Sequence, residues 1–513
     1  MSLQWPSAQD IVLGGTVPPP FSDFFNHILP FQFRLTAREQ AYHAAIFGAS
    51  GSGKSKLLQS IFLQHHALGH GVGLIDPHAD LALDILKSLI ASGFFRREKA
   101  FEQLIFLDFA NGSFIPFNVL NQNFDPHTTA LNALEGMIRV WPELEQAPLF
   151  QTLFLAAVTT LIACKLPITP YLYHILTDGQ FRNACLQQVT DPLIHLAFRN
   201  YYEKLGRDQA QAAGSTLRRA FLLSYSPIIR NSLGQPDNWL DFRTIMNSGK
   251  SIIISLGGLE DETKRLIGAM LMVAIEQAAL SRVDITERRP FTLLVDEWGS
   301  FAAQERTIAT ILSQCRKFGL RLYLAAQSLS QVSSNRLSGA LENCKLMIAF
   351  ALGRQSAEIQ AKQIGFADPF AVKEAPQTET QHSQYQSITD QFETWNQELM
   401  NLPTRCCYVK VPEKAAVRIT SLKVPEPTVA HAELAAVLLE YKRRYQRTEP
   451  QAKNAQRDVA DALFLRGLPG STTAPAESDS APVASDATPA GDADGSGIFH
   501  NPFSATDKEK DRQ

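Results

Sequence analysis

The chain has 513 residues, of which 45% are hydrophobic and 19% charged, and its formal net charge is −3. This composition predicts a soluble globular protein of about three domains, and it excludes a chain that attracts nucleic acid through a general positive field. The six cysteines form no C-x-x-C pair, which argues against a zinc or disulfide framework and predicts reduced thiols in the cytoplasm.

The N-terminal segment 1–30 is rich in proline and phenylalanine and has few periodic features, so we expect an arm on the surface of the first domain. It has neither the basic start nor the apolar core of a secretion signal. One uncharged apolar run, 147–164, lies at the lower limit of membrane-spanning length and is interrupted by polar residues. We interpret it as a buried helix and expect no transmembrane segment.

A phosphate-binding loop is predicted between a strand at 44–47 and a helix that starts near residue 54, because every fixed position of G-x-x-x-x-G-K-[ST] is matched. The loop consists of Gly48, Ala49, Ser50, Gly51, Ser52, Gly53, Lys54 and Ser55. Its glycines let the backbone wrap a phosphate, and the N–H groups at the helix start face the anion. Lys54 would reach the β and γ phosphates and the Ser55 hydroxyl would bind Mg²⁺, so the predicted ligands are ATP and Mg²⁺.

Apolar strands alternate with helices over 31–124 and again over 236–425, which predicts an α/β fold with a mainly parallel sheet covered on both faces. Between these halves, 125–235 show helical patterns without strand signals. We therefore predict one P-loop NTPase domain that is interrupted by an all-α domain.

The C-terminal part is predicted to contain a helix at 426–447 followed by a mostly disordered tail, 448–513. From Gly470 onward the tail has eight acidic and three basic residues, a net charge of −5 that leaves +2 for the rest of the chain. Its small and polar residues bury too little apolar area to offset the entropy of ordering.

A strand at 291–297 ends in two carboxylates, which is the form of a Walker B element. Asp296 would hold Mg²⁺ through water, and Glu297 would polarise the attacking water. Gln327 ends the next predicted strand, at the edge where ligands of parallel sheets bind. Its amide either senses the γ-phosphate or simply caps the strand.

Arg316 ends the helix between these two strands. It is either an arginine finger presented to a neighbouring subunit's nucleotide or an ordinary cation at a helix C-terminus. Asp76 ends another strand beside the loop, where it either approaches the metal or belongs to a plain Asp-Pro turn.

Several motifs in order resemble the conjugative coupling-protein branch (TraG/TraD/VirD4-like) of the hexameric FtsK and HerA superfamily of DNA-pumping ATPases. The resemblance runs from about Phe33 to Pro425. Beyond the phosphate loop it rests on the segments 73–81 (GLIDPHADL), 229–235 (IRNSLGQ), 241–243 (DFR), 278–282 (AALSR), 293–298 (LLVDEW), 315–331 (CRKFGLRLYLAAQSLSQ) and 341–344 (LENC).

The resemblance implies a RecA-like motor domain, an all-α domain in the inserted position and a homo-hexameric ring with DNA in its channel. Lys54, Asp296, Glu297 and Gln327 match family catalytic positions, as does Ser55, and Arg316 matches the finger that acts on the neighbouring subunit. The all-α domain is expected to meet relaxase or secretion-system components. Membrane-anchored members have two N-terminal transmembrane helices, which are not expected here, so we expect a cytoplasmic protein that reaches the inner membrane only through partners.

The first hypothesis is an ATP-hydrolysing motor that translocates DNA. A ring would let a chain without net positive charge bind DNA, since basic side chains need cluster only along the pore. The alternatives are a VirB4-like secretion-assembly ATPase that does not depend on DNA, a substrate receptor that nucleotide only stabilises, and a HerA-type motor in defence or chromosome processing.

Overall fold

The computed structural model describes residues 9–16, 32–110, 112–121, 124–203, 207–298, 305–328, 339–370, 372–374 and 384–467. Its strands are β1 (Ile11–Thr16), β2 (Gln32–Leu35), β3 (Ala44–Phe47), β4 (Gly71–Asp76), β5 (Leu104–Asp108), β6 (Ser251–Ser255), β7 (Phe291–Val295), β8 (Leu320–Ala326), β9 (Leu346–Ala349), β10 (Val372–Glu374), β11 (Gln384–Tyr385), β12 (Cys406–Lys410) and β13 (Val417–Ser421).

The α-helices of the described residues are α1 (Ala37–Gln40), α2 (Lys54–Ala67), α3 (Asp80–Ala91), α4 (Ala100–Gln103), α5 (Pro126–Val140), α6 (Pro148–Ala163), α7 (Tyr171–Thr177), α8 (Gly179–Leu186), α9 (Pro192–Phe198), α10 (Arg207–Tyr225), α11 (Pro227–Leu233), α12 (Phe242–Ser248), α13 (Asp261–Leu280), α14 (Glu305–Gln314), α15 (Arg354–Ile364), α16 (Ile388–Met400), α17 (His431–Tyr445) and α18 (Glu449–Gly467).

One sheet of 11 strands forms the centre of the molecule, in the order β2-β1-β13-β12-β9-β3-β8-β7-β4-β6-β5. The strands from β9 to β5 are parallel, and the four on the other side pair antiparallel. The chain leaves the sheet after β5, passes through the helices α5 to α11, and returns as β6 between β4 and β5. This confirms the predicted α/β fold with a mainly parallel sheet and a helical interruption.

The central strands are buried along their whole length, as their apolar residues predict. Every residue of β3, β4, β6 and β7 is buried, because helices cover both faces of a parallel sheet. The apolar run 147–164 forms α6 in the hydrophobic core, as predicted. One described segment, Asp261–Asp284, is long and apolar enough to span a membrane, and 78% of that window is buried inside the protein, as in a core helix.

The predicted N-terminal arm is wrong for part of its length, since Ile11–Thr16 is a strand of the central sheet. β1 pairs antiparallel with both β13 and β2, and Ile11 and Leu13 are among the buried core residues. The remaining residues of the arm lie outside the described part, apart from Gln9 and Asp10. The strand signal in the sequence is weak, because only three apolar residues, Ile11, Val12 and Leu13, precede the two glycines.

The first of the two C-terminal helices, α17, covers the open β5 edge of the sheet, and the second, α18, contacts the helical insertion. The Tyr441 hydroxyl of α17 donates to the carbonyl oxygen of Leu104 on β5 at 2.9 Å, and Gln446 Nε2 donates to that of Asp108 at 3.0 Å. In α18 the Gln456 carbonyl oxygen accepts a hydrogen bond from the Tyr171 hydroxyl at 2.8 Å. The bonds to Leu104 and Asp108 satisfy carbonyl groups of an edge strand that would otherwise be free to pair.

The prediction of a mostly disordered tail over 448–513 is therefore wrong for Glu449–Gly467, which forms α18. Thr448-x-x-Gln451 is a capping-box pattern, and Gln451 Oε1 accepts hydrogen bonds from the Thr448 backbone at 2.9 Å and hydroxyl at 3.1 Å. This capping box is a helix-start signal, although the polar composition of the segment favours disorder. The rest of the predicted tail, 468–513, lies outside the described residues.

A buried ion pair joins the helical insertion to the sheet-bearing part of the chain. Arg139 Nη1 on α5 lies 2.5 Å from Glu276 Oε2 on α13, with the two side chains only 4% and 2% exposed. The same nitrogen donates to the Thr307 hydroxyl on α14. The pair therefore ties together three helices from distant parts of the chain.

Arg139→Met is expected to lower the free energy of unfolding by about 3 to 5 kcal/mol, because Glu276 would remain buried without its partner. The double variant Arg139→Met/Glu276→Leu should lose clearly less, because it leaves no lone buried charge. Denaturant unfolding measures both. Arg354→Met, which breaks an exposed pair with Glu358, serves as the control and should cost less than about 1 kcal/mol. Equal losses for Arg139→Met and Arg354→Met would contradict this account.

Candidate nucleotide site

The predicted phosphate loop connects the end of β3 to the start of α2, with its backbone tied to the neighbouring strands. The Gly48 N–H donates to the Ala326 carbonyl oxygen at 3.2 Å, and the Ala49 N–H donates to that of Ala351 at 2.7 Å. Gly51 and Gly53 have φ of +73° and +115°, left-handed values that other residues adopt only with strain. The loop therefore has the backbone that its glycines predict.

Lys54 is buried within the loop, where its Nζ donates to the carbonyl oxygens of Gly48 at 2.6 Å and Ala49 at 3.1 Å. Burial lowers the pKa of the ammonium, and the charges of Glu297 and Asp296 oppose that shift. The lysine charge therefore lies in the concave loop and close to both Walker B carboxylates.

Ser55 and Asp296 meet, as the sequence predicts, although 241 positions separate them. The Ser55 hydroxyl donates to Asp296 Oδ2 at 3.1 Å. Asp296 Oδ1 accepts from the Glu297 N–H at 3.0 Å. A hydroxyl and a carboxylate at one helix N-terminus are hard oxygen ligands of the kind that Mg²⁺ takes. Because Asp76 and Glu297 both repel the charge of Asp296, a divalent cation would relieve the repulsion, so these residues fit the metal.

Glu297 has a backbone conformation that is rare for its residue type. Its φ is +43°, a left-handed value that costs roughly 1 to 3 kcal/mol and that clusters at active sites. Gln327 Nε2 donates to Glu297 Oε1 at 3.0 Å. The two predicted side chains at the ends of β7 and β8 are thus in direct contact.

Arg316 lies away from this cluster. It sits on a short 3-10 turn, Cys315–Phe318, that precedes β8. Its Nε donates to the Ala41 carbonyl oxygen at 3.1 Å, and its guanidinium lies 4.1 Å from the centre of the Tyr42 ring. These partners precede β3, so Arg316 is at the edge of the sheet opposite the phosphate loop. The structure does not bring it to the Lys54 of its own chain.

Asp76 belongs to the Asp-Pro turn, which is the second of the two interpretations of this residue. Its carboxylate oxygens accept hydrogen bonds from the backbone N–H groups of His78 and Ala82, both at 2.9 Å. Its charge still acts on the site, since it is the second-largest cause of the raised pKa of Asp296.

One residue beside the loop was missed by sequence reasoning. The Arg405 N–H donates to the carbonyl oxygen of Ser52 at 2.9 Å. No local pattern marks Arg405, because its contact depends on how β12 meets a loop some 350 positions earlier in the chain.

The acidic site destabilises the metal-free fold at neutral pH. Burial, and next the charge of Asp76, raise the pKa of Asp296 from 3.8 to about 6. A pKa that is higher in the folded state gives stability that is complete below the unfolded value, about pH 4, and is lost as pH rises through about 6. Without metal, Asp296→Asn should therefore melt at a higher temperature than wild type at pH 7.5 and lose this advantage near pH 4. Thermal unfolding at both pH values tests this, and a variant less stable than wild type at pH 7.5 would contradict it.

A family model described as the type IV secretion-system coupling protein DNA-binding domain matches residues 237–423. This range contains β6 to β13, and thus Asp296, Glu297, Arg316 and Gln327, but not the phosphate loop. A search of curated proteins gives no match.

Solved structures with a similar fold include two of a coupling protein and one of VirB4. The bacterial conjugative coupling protein TrwBdeltaN70 matches with a TM-score of 0.58 and 16% identity over 77% of this chain and 89% of that chain. The plasmid coupling protein TrwB in complex with ADP and Mg²⁺ matches with a TM-score of 0.56 and 16% identity over 77% and 88%. VirB4 of Thermoanaerobacter pseudethanolicus has a TM-score of 0.51 and 13% identity over 82% and 98%.

At these identities the structural matches establish the fold, which is the P-loop NTPase fold of TrwB and VirB4. The resemblance predicted from the sequence motifs is confirmed: residues 237–423 match the family model of the coupling-protein DNA-binding domain, and 77% of the chain has a fold similar to that of a bacterial conjugative coupling protein.

Proposed function

We propose that this chain hydrolyses ATP to move DNA, as a motor related to the conjugative coupling proteins. The observation that carries the proposal is the hydrogen bond from Ser55 to Asp296, because it joins the phosphate loop to the Walker B strand. One site then holds a lysine, a metal-ligating hydroxyl and two carboxylates, which is the set that phosphoryl transfer from ATP needs.

Each residue has a distinct task in this proposal. When nucleotide binds, Lys54 would exchange its loop carbonyl partners for the β and γ phosphates, Ser55 would bind Mg²⁺, and Asp296 would hold the Mg²⁺ through water. A bound Mg²⁺ would neutralise the charge that develops on the phosphates. Glu297 orients the attacking water and accepts its proton, and Gln327 holds the Glu297 carboxylate in place.

The position of Arg316 favours an assembly of several copies, and we propose a homo-hexameric ring. Since Arg316 lies at the opposite edge of the sheet from the phosphate loop, it serves hydrolysis only if it meets the nucleotide of a neighbouring subunit. A guanidinium there stabilises charge in the transition state. The helical insertion, α5 to α11, is the proposed contact for relaxase or secretion components, through which a cytoplasmic protein would reach the inner membrane.

The proposal of DNA as the substrate rests on the matched domain, whose family is described by DNA binding. Its test is the ATPase rate of the full-length chain with and without single-stranded and duplex DNA. We expect DNA to stimulate hydrolysis, Lys54→Ala to abolish it, and DNA binding to weaken as salt rises. Hydrolysis that no form of DNA stimulates would reject the proposal.

The similarity of fold to VirB4 favours one alternative, a secretion-assembly ATPase. That function predicts rapid hydrolysis that is equal with and without DNA. The same ATPase assay therefore separates the two functions, because both require Lys54 and Glu297 but only the first responds to DNA.

A further inference from the structure

The residue before β12 has an unusual backbone and touches the phosphate loop. Arg405 has a φ of +71°, a left-handed conformation that is strained for any residue except glycine and that tends to persist where function requires it. In this conformation its N–H group donates to the Ser52 carbonyl oxygen at 2.9 Å. The strained residue is thus attached directly to the loop.

The side chain of Arg405 begins beside the last glycine of the loop. A methyl group placed on Gly53 would lie 3.3 Å from the Arg405 Cα and 3.5 Å from its Cγ. Gly53 immediately precedes Lys54 and caps the N-terminus of α2, where backbone N–H groups face a bound phosphate. A side chain as long as arginine that begins here can reach a phosphate bound at the N-terminus of α2.

The guanidinium of Arg405 has N–H donors that are not all used in hydrogen bonds. Its Nη2 donates to the Ser421 carbonyl oxygen at 2.6 Å. Its Nε is buried and has no hydrogen-bond partner within the described residues. A guanidinium carries five N–H donors in a fork that matches phosphate oxygens, and a buried donor without a partner is costly. The side chain is held near the loop but is incompletely satisfied.

From this geometry we infer that Arg405 is a further nucleotide-binding residue of the site, and that its guanidinium contacts the phosphates held by the loop of its own chain. The inference rests on the proposed nucleotide site and adds a second positive charge to that of Lys54. It distinguishes Arg405, which acts within one chain, from Arg316, which acts across a subunit boundary.

The test measures the binding of MgADP, MgATP and magnesium tripolyphosphate to full-length protein, by competition against a fluorescent ADP analogue. Arg405→Gly removes the guanidinium and tolerates the left-handed backbone, so its melting temperature without nucleotide should equal or exceed that of wild type. We expect its dissociation constants for all three ligands to rise about tenfold or more. Arg405→Lys, which keeps one charge without the fork, should fall in between.

Two control variants separate the guanidinium from its surroundings. Glu413→Gly relieves a left-handed residue, φ +63°, in the exposed turn after β12, and it should bind nucleotide as wild type does. Arg418→Ala removes an arginine of β13 that pairs with Glu398, and it should also bind normally.

In steady state, Arg405→Gly should raise KM while changing kcat by less than about threefold, since the contact exists before and during the reaction.

Nucleotide binding within threefold of wild type by Arg405→Gly would overturn the inference. A loss of MgADP affinity with unchanged tripolyphosphate affinity would also overturn it, because the contact would then be to the nucleoside. If wild-type protein itself binds no nucleotide, the proposed function fails rather than this inference.

Discussion

Glu297→Gln is expected to lower the rate of ATP hydrolysis by about a thousandfold while leaving MgATP binding nearly unchanged. The amide has the size and shape of the carboxylate and leaves the strained backbone at this position in place. It can neither accept the proton of the attacking water nor keep the charge that Gln327 Nε2 contacts at 3.0 Å. Steady-state hydrolysis and a parallel measurement of nucleotide affinity test the two halves of the prediction.

The matched variant for this experiment is Gln327→Ala, which removes the partner of Glu297 but leaves the carboxylate. Its hydrolysis rate should lie between those of wild type and Glu297→Gln, because the base remains but is less well oriented. If Glu297→Gln hydrolyses ATP within about tenfold of the wild-type rate, Glu297 is not the base, and the assignment of roles at the ends of β7 and β8 fails.

If Arg316 acts as the proposed finger in a ring, Arg316→Ala is expected to reduce hydrolysis by about a thousandfold or more, because every nucleotide site would lack that guanidinium. The affinity of each site for MgATP should change little, since Arg316 lies at the opposite edge of the sheet from the phosphate loop of its own chain. Lys317→Ala removes the exposed neighbouring charge and should retain near wild-type hydrolysis.

Mixing inactive variants tests whether Arg316 acts between chains. In a mixture of Arg316→Ala and Lys54→Ala subunits, some intact phosphate loops face intact arginines, so part of the activity should return. Each variant alone should remain inactive. A mixture that is no more active than its components, under conditions where the subunits exchange, would show that Arg316 does not act across a subunit boundary.

The central site could be predicted because its parts are marked by local patterns. The phosphate loop has fixed residues between a strand and a helix, and the Walker B pair follows a strand that is apolar except for Thr292. Since parallel strands bring their carboxyl ends to one edge, Lys54, Asp296 and Gln327 are expected at the same edge of the sheet, and the order β3-β8-β7 makes them neighbours there. The hydrogen bond from Ser55 to Asp296 joins the phosphate loop to the Walker B strand, as this expectation requires.

What the sequence concealed depends on contacts between distant segments. β1 is short and contains two glycines, and it is a strand because β13 and β2 pair with it. α18 is polar over most of its length and is held by contacts with the helical insertion, such as that between Gln456 and Tyr171. Arg405 is distinguished only by a dihedral angle and by the loop that it touches, neither of which a residue pattern reveals.

The most direct test of the account is the structure of Glu297→Gln protein with Mg²⁺ and ATP. The account predicts that Lys54 Nζ leaves the carbonyl oxygens of Gly48 and Ala49 for the β and γ phosphates, that Ser55 Oγ binds the metal, and that Asp296 lies in hydrogen-bond reach of the metal's water ligands. Nucleotide bound away from the 48–55 loop, or a metal remote from Asp296 and residue 297, would contradict the central claim.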